Sequence, residues 1–421
     1  MGNAAVSKPV SSRQGAISYE FLITALLILF WGGVGLNRIG IGVIAPYIKP
    51  EFGLSNFQIG LLVSGTSATW ALSSWGGGWL SDRYGRRSVL LPGAILICVM
   101  TASMGIAGGF WSMFIIRELL GVGDGIGWSV GQATVYEESA PHRRGMNQAL
   151  VAAGYTLIGA GLGALVITRI SSNLGWRWAF PMIAAATAVV VAALFLVMRD
   201  RPSRAAQKTV DWHAAVGLLR SRPVIILTVI SCAALSWLVV SIAYNQLFLT
   251  EVRGFSKEDA GDIALFWGLA GAAGQLLLPL LSDFWGRRRV VFASALICGA
   301  ALALYVGGGF GKVPMQVLIG LSGFCGHGLL PLAIATCVIE SVPETLRGSA
   351  LGVTNFFGVA VGSLFMPLVG GKLADHLGLV SAMWIPIAAQ IVIAMFIFLI
   401  AETAPRLIER RTAISAMAPA R

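Results

Sequence analysis

Twelve stretches of this chain, each about as long as a bilayer is thick, are nearly free of charge: 20–46, 57–80, 88–108, 111–136, 146–170, 176–198, 224–250, 260–282, 290–309, 313–338, 347–371 and 379–401. A hydrocarbon core of about 30 Å takes roughly 20 apolar residues as a helix. Only helices and closed barrels satisfy every backbone group there. The pattern predicts an all-α membrane protein with twelve transmembrane helices. With 56% hydrophobic and 12% charged residues, a soluble fold would lack the polar surface to cover itself. The 52 glycines agree, since small residues let membrane helices approach closely.

Charge placement sets the orientation. Of the Lys and Arg residues in loops and tails, 21 fall on the side of the two termini. The other side holds seven: Lys49, Arg169, Arg177, Arg253, Lys257, Lys312 and Lys372. The positive-inside rule then puts both termini in the cytoplasm. The net charge of +11 reflects topology, and no nucleic-acid partner is expected. The first eighteen residues read as unstructured and polar, within a cytoplasmic N-terminal tail of 1–19, and 402–421 reads as a cytoplasmic C-terminal tail. No small-residue cleavage site follows the first apolar run, which is expected to stay as a helix. Cys98, Cys232, Cys298, Cys325 and Cys337 lie inside spans without CxxC spacing. They read as packing residues, with neither a disulfide framework nor a metal site.

The chain is also duplicated. The longest polar stretch, 199–223, separates two six-helix halves, 20–198 and 224–401. Within it, DWHAAVGLLR could form a short amphipathic helix on the membrane surface. Asp82-Arg83-Tyr84-Gly85-Arg86-Arg87 follows the second span, and Asp283-Phe284-Trp285-Gly286-Arg287-Arg288 follows the eighth. Likewise ESAPHRRG (138–145) pairs with ESVPETLRG (340–348). Duplication of this kind marks a secondary transporter with two rocking halves and a midplane site.

On these residues the chain resembles the major facilitator superfamily over essentially its whole length. Gly78-x-x-x-Asp82-Arg83-x-Gly85-Arg86-Arg87 matches the family's loop signature, and GWRWAF (175–180) is also familiar there. The resemblance implies two pseudo-symmetric six-helix bundles, rocker-switch alternating access and a monomer in the bilayer that uses no cofactor. It also implies a cytoplasmic latch of Gly78, Asp82, Arg83, Gly85, Arg86 and Arg87, echoed by Asp283 and Arg287. Gly78 is expected to allow a close helix contact, and the latch to stabilise the outward-facing state. Pro279 stands where the echo would need a glycine, so the two latches are expected to be unequal.

An ionisable side chain inside a span is a functional hypothesis by default. Few remain after loops and tails are removed: Arg38 in the first span, Arg117, Glu118 and Asp124 in the fourth, and His327 in the tenth. Arg38 and Arg117 lie about 12 and about 9 Å from the outer ends of their helices, at similar depth. Two buried guanidiniums repel unless an anion joins them, and their forked donors suit a carboxylate. Asp124 follows Arg117 by seven residues, on nearly one face. Burial favours its protonated form and a nearby arginine its ionised form. An anion that neutralises the arginines would therefore couple to protonation, a basis for proton–anion symport. Glu118 is rotated about 100° from Arg117 and is a second proton-coupling candidate or an ion partner. His327 reads as a packed or water-bonded residue as readily as a titrating one. Tyr155, Tyr244, Asn245, Gln246, Asn355 and Phe356 complete the candidates, of which Tyr155, Asn245, Gln246 and Asn355 are expected to bind substrate. Polar groups in spans also serve as interhelical glue.

A closer resemblance follows. LNRIGIGVIAPYIKPEFGLSNFQIGLLVSG with SDRYGRR is similar to the anion:cation symporter branch, which carries organic anions such as sugar acids. That branch has an arginine in its first helix, matched by Arg38, and an arginine and an acid seven apart in its fourth, matched by Arg117 and Asp124. It often has an acid where this chain has Asn37, and usually Glu where this chain has Asp124. The stretch AETAPR (401–406) resembles aromatic-acid and sialic-acid proton symporters. The resemblance implies import of a small carboxylate by proton symport across a bacterial inner membrane. The alternative is a proton-coupled drug or metabolite exporter. Such exporters commonly carry a Gly-Pro pair in their fifth helix, where GYTLIGAGLGAL has no proline. A receptor on this scaffold would bring a large soluble extension. No phosphate loop, metal cluster or nucleophile–base pair points to an enzyme.

Overall fold

The structure, a computed structural model, describes residues 10–199, 217–218, 220–404 and 407, with side chains from residue 19 onward. Most of the expected linker, including most of DWHAAVGLLR, lies outside the described residues, as do 1–9 and most of 402–421. No strand occurs among the described residues. Twelve helices follow in order: α1 (Val10–Phe52), α2 (Asn56–Ser64 and Thr66–Tyr84, joined through Gly65), α3 (Arg86–Ile106), α4 (Phe110–Glu138), α5 (Arg144–Leu174), α6 (Trp176–Val197), α7 (Arg222–Val252), α8 (Lys257–Trp285), α9 (Arg287–Gly307), α10 (Lys312–Glu340), α11 (Glu344–Leu377) and α12 (Leu379–Ile397). Ten are long and apolar enough to cross a membrane. The other two are α2, diluted by Ser, Thr and Gly, and α4, which carries Arg117, Glu118 and Asp124.

One expectation fails at the start. SSRQGAISY is helical, not unstructured, and α1 begins at Val10. Further on, α1 runs through Pro46 and Pro50 to Phe52, past its expected end. The next helix starts cleanly. The Ser55 hydroxyl accepts from the Gln58 amide at 3.1 Å while the Gln58 side chain accepts from the Ser55 N–H at 2.9 Å.

Duplication is visible in the backbone. Gly85 between α2 and α3 has φ 93° and ψ 153°, and Gly286 between α8 and α9 has φ 99° and ψ 142°. A left-handed φ of this kind favours glycine, which explains why both charged turns keep one. The partners repeat as well. Arg86 pairs with Asp82 at 2.7 Å and Glu137 at 2.7 Å, and its guanidinium donates to Ser81 at 2.5 Å. Arg287 pairs with Asp283 at 2.6 Å and Glu340 at 3.1 Å and donates to Ser282 at 2.5 Å. Arg87 donates to the Phe195 carbonyl at 2.8 Å, and Arg288 to that of Phe398 at 2.7 Å. The expected inequality does not appear in this ion pairing, and the reason is local. Ser81 donates to the carbonyl of Gly78 and Ser282 to that of Pro279, so only the backbone of that position enters.

The halves α1–α6 and α7–α12 join along three seams, two of them toward the end that holds the α1–α2 turn and the third, between α5 and α8, reaching past mid-helix to Thr156 and Gln275. Where α1 meets α7, a Cβ on Gly42 would overlap the Ile242 carbonyl. Where α5 meets α8, a Cβ on Gly268 would overlap the Gly161 backbone. Such contacts exist only because a glycine bares at least one of the two backbones. The α2–α11 seam is polar: Asp375 accepts from the Asn56 and Phe57 amides at 2.8 and 3.0 Å, and Tyr244 of α7 donates across it to the Asn56 carbonyl at 3.2 Å and, within its own half, to the Pro367 carbonyl at 2.6 Å. Ion pairs Lys49–Glu251 (2.7 Å) and Arg169–Asp262 (2.8 Å) cross at this end too. At the opposite end, which holds Gly85 and Gly286, every ion pair among the described residues stays within one half.

Candidate functional site

The site begins at Asn37 and Arg38 on α1. Arg117, on α4, is 1% exposed. Its Nε donates to the Leu62 carbonyl on α2 and its Nη1 to the Asn37 carbonyl at 3.4 Å, leaving Nη2 without a partner among the described residues. This contact sets Arg117 beside the α1 segment that carries Arg38. Arg38 is half-buried, lies over the Trp70 ring at 5.6 Å, and forms no ion pair among the described residues. Its field reaches Arg117, Asp124 and Tyr155. The structure thus gathers four of the expected residues from three helices.

Asp124 is fully buried, and neither carboxylate oxygen has a hydrogen-bond partner among the described residues. Glycines on both sides, Gly123 and Gly125, bring α4 tight against α3 and α2 and close off solvent. A buried carboxylate facing two guanidiniums without touching either is a group that can exchange partners. A carboxyl fully bonded to backbone amides could not do so without breaking structure. Tyr155 sits where α5 widens into a π-helical stretch, Tyr155–Leu162. Such stretches recur at functional sites. Next to it, Thr156 donates to Gln275 of α8 at 2.8 Å, so the cluster abuts the seam between the halves.

The remaining candidates are placed elsewhere. Glu118 is half-buried and faces Thr69 and Gly65 of α2, away from Asp124. Asn245 accepts from the Tyr305 hydroxyl at 2.7 Å and Gln246 donates to the Ala260 carbonyl at 3.3 Å. Both bonds lie within the second half. The two residues line a small cavity with Ser241 and Trp267, above the arginine level. Asn355 is half-buried on α11, and neighbouring Phe356 is exposed. Tyr244 belongs to the α2–α11 seam. The close helix contact expected of Gly78 falls one residue earlier. An added Cβ on Gly77 would come 2.9 Å from Ile126, whereas at Gly78 the nearest atom is 3.9 Å away. One residue rotates the face by about 100°, and it is Gly77 that looks at α4.

Sequence reasoning marked Asn37 as a departure from the branch's pattern but did not count it in the site; its buried side-chain oxygen and nitrogen both lack partners among the described residues. The same reasoning passed over the aromatic floor of the site. Trp31 packs against Trp128 at 4.9 Å and Tyr155 at 6.0 Å, two helical turns from Arg38 toward the Gly85 end. The available signal was an amide directly before a buried arginine. Tryptophans in spans carry no such mark.

Comparison with known proteins agrees with this architecture. The family model described as Major Facilitator Superfamily matches residues 21–358 and 226–419. A probable sulfoacetate transporter of Cupriavidus necator is 25% identical, covering 86% of this chain and 89% of its own. The hexuronate transporter of Bacillus subtilis is 23% identical, covering 85% and 89%. A probable 4-methylmuconolactone transporter of Cupriavidus pinatubonensis is 26% identical, with 89% of each covered. Among solved structures, a bacterial homolog of the human lysosomal transporter Spinster, inward-facing and unoccupied, superposes with a TM-score of 0.75 at 18% identity, covering 90% of this chain and 96% of its own. With twelve helices in two matched halves and a family model that spans nearly all of it, the chain is an integral membrane protein and belongs to the major facilitator superfamily of transporters.

Proposed function

We propose that this transporter imports a small organic anion, a carboxylate, by proton symport. The observation that carries the reading is the trio of half-buried Arg38 with fully buried Arg117 and Asp124, in which Arg117 Nη2 and both Asp124 oxygens have no partner among the described residues. An anion between the guanidiniums would take the free donors bidentately. It and the Asp124 carboxylate compete for the same positive charge, so anion binding and proton uptake at Asp124 are thermodynamically linked. The names of the relatives, transporters of sulfoacetate, hexuronate and a muconolactone, support an organic-acid cargo. Glu118, set apart on α4, is a relay candidate for the proton, and Tyr155 a hydroxyl donor to the bound anion.

With both termini in the cytoplasm, as the charge asymmetry argues, the end that holds Gly85 and Gly286 is cytoplasmic. The three joined seams then close the outer face, and the conformation is inward-facing. The six-helix halves, 20–198 and 224–401, rock as units about the site. Gly78 is only loosely covered here, an added Cβ meeting nothing nearer than Ser129 at 3.9 Å, as would suit a residue that meets the other half only when the cytoplasmic end closes. Asp82, Arg83, Arg86 and Arg87 with Asp283 and Arg287 make up the latch of that closed state.

Uptake of labelled organic acids into proteoliposomes, with and without an inward proton gradient, tests the proposal. Gradient-driven carboxylate accumulation is expected. Extrusion of cationic dyes without any carboxylate uptake would overturn it in favour of an exporter.

A further inference from the structure

Across the seam from the arginines, the second half presents no charge. It presents instead a cluster of buried polar atoms without a hydrogen-bond partner among the described residues. His327 on α10 is 3% exposed and packs between two indoles, Trp237 of α7 at 5.1 Å and Trp267 of α8 at 4.7 Å, which also meet each other at 5.7 Å. His327 Nδ1 lies 3.1 Å from the Gly323 carbonyl. A carbonyl only accepts, so Nδ1 is the donor and Nε2 is the free acceptor of the neutral ring. Nε2 has no partner among the described residues, nor has the Nε1–H of Trp237, the Nε1–H of Trp267 or the hydroxyl of Ser241. Each buried polar group left unpaired costs about 1–3 kcal/mol. A cluster that served packing alone would be built from phenylalanine and leucine without that cost.

Depth ties the cluster to the anion site. Gly271 of α8 lies beside both His327 Nδ1 and Thr156, the residue after Tyr155. On α7, Ile242 abuts Gly42 of α1. Arg38 lies about 6 Å from Gly42 toward the Gly85 end, and Trp237 about 8 Å from Ile242 in the same direction. The indole therefore lies at the level of the arginine, one helical turn below Ser241 on the same face of α7. Ser241 and Trp267 also line the small cavity that Ile39 and Val43 of α1 and Ala160 of α5 close from the other half.

We infer that His327, Trp237 and Trp267 form the subsite that receives the uncharged end of the substrate, and that this end carries hydroxyl groups. A hydroxyl both donates and accepts, which is what one imidazole acceptor beside two indole donors requires. Anion recognition by the first half and hydroxyl recognition by the second then hold the substrate across the seam, so that it engages both rocking halves. The inference rests on the organic-anion reading above and narrows its cargo to hydroxylated acids.

The test uses the full-length protein in proteoliposomes and two matched pairs of probes, glycerate against propionate and galactonate against hexanoate. The wild type is expected to take up the hydroxylated member of at least one pair at least about ten-fold better. In His327→Leu that ratio falls about ten-fold while uptake of propionate and hexanoate stays within about two-fold, and His327→Gln, which keeps an acceptor, recovers part of it. Trp267→Phe keeps the ring and removes the donor; it lowers the same ratio and decides the matter should His327→Leu fail to reconstitute. A wild type indifferent to hydroxyls overturns the inference alone, as does an equal loss for both members of a pair in the variants, the mark of a packing role. A wild type that takes up no carboxylate at all overturns the organic-anion reading and this inference with it.

Discussion

The charged turn at Gly85 and its copy at Gly286 keep the same chemistry, whereas the two faces that meet at mid-depth have parted company. At the turns, each arginine holds an aspartate four residues back, a glutamate at the far end of the next helix, and a serine hydroxyl. At mid-depth the first half offers Arg38, Arg117 and Asp124; the second offers His327 between Trp237 and Trp267. Both regions descend from one six-helix unit. The turn performs the same mechanical task in each half, so its ion pairs are under the same demand twice. A substrate with one charged end places unlike demands on the two faces, and a symmetric site would set charge against charge.

The sharpest way to break this comparison is to remove the charge from the first face. Arg38→Ala and Arg117→Ala are each expected to cut carboxylate uptake about 100-fold or more, the scale of a lost bidentate charge-assisted contact in a buried site. Arg38→Lys, which keeps the charge and loses the fork, should fall between. If Trp237→Phe, on the other face, costs as much in the same uptake assay, the division into anion and neutral faces is wrong.

Asp124→Asn separates binding from coupling. Accumulation driven by an inward proton gradient is expected to vanish, while exchange of labelled for unlabelled substrate across the membrane continues. Substrate accumulation that still follows the proton gradient in this variant would remove Asp124 from the coupling.

The turns should respond alike. Arg86→Ala and Arg287→Ala each leave two partly exposed carboxylates and a buried serine hydroxyl without their arginine, at about 2 kcal/mol. Thermal unfolding in detergent is expected to show losses equal within about 1 kcal/mol. A much larger effect at Arg86 would restore the unequal latches that Gly78 and Pro279 led one to expect.

The smallest expected effect is that of Asp82→Asn, which keeps the shape of the pair and removes its charge. Transport should slow a few-fold while substrate affinity, measured by equilibrium binding, stays within about two-fold. Lost binding would mean that the turn shapes the site and not only the motion.

Most of the fold was legible in the chain. Hydropathy along the sequence marks the helices, since crossing a bilayer demands apolar length wherever it occurs, and the repeated Asp-x-x-Gly-Arg-Arg marks the duplication. The site was legible only in part. Arg38, Arg117 and Asp124 stand out because a charge in a span is conspicuous in any window. Asn245 and Gln246 look equally available in sequence, yet Tyr305 and the Ala260 carbonyl already hold them. Nor does the sequence announce that one residue's rotation gives the close contact to Gly77 instead of Gly78.

By itself, then, the sequence determined the number and order of the helices, their pairing into two halves, and the scarcity of charge that singles out α4. Those properties are additive along the chain. Only the tertiary structure decided that Asn37 lends its carbonyl to Arg117, that α5 brings Tyr155 to the arginines, and that His327 ends between two indoles with its acceptor free. Each of these depends on the rotation and depth of one helix against another. Bare glycine faces such as Gly42, Gly161 and Gly268 set those quantities through contacts between residues far apart in the chain.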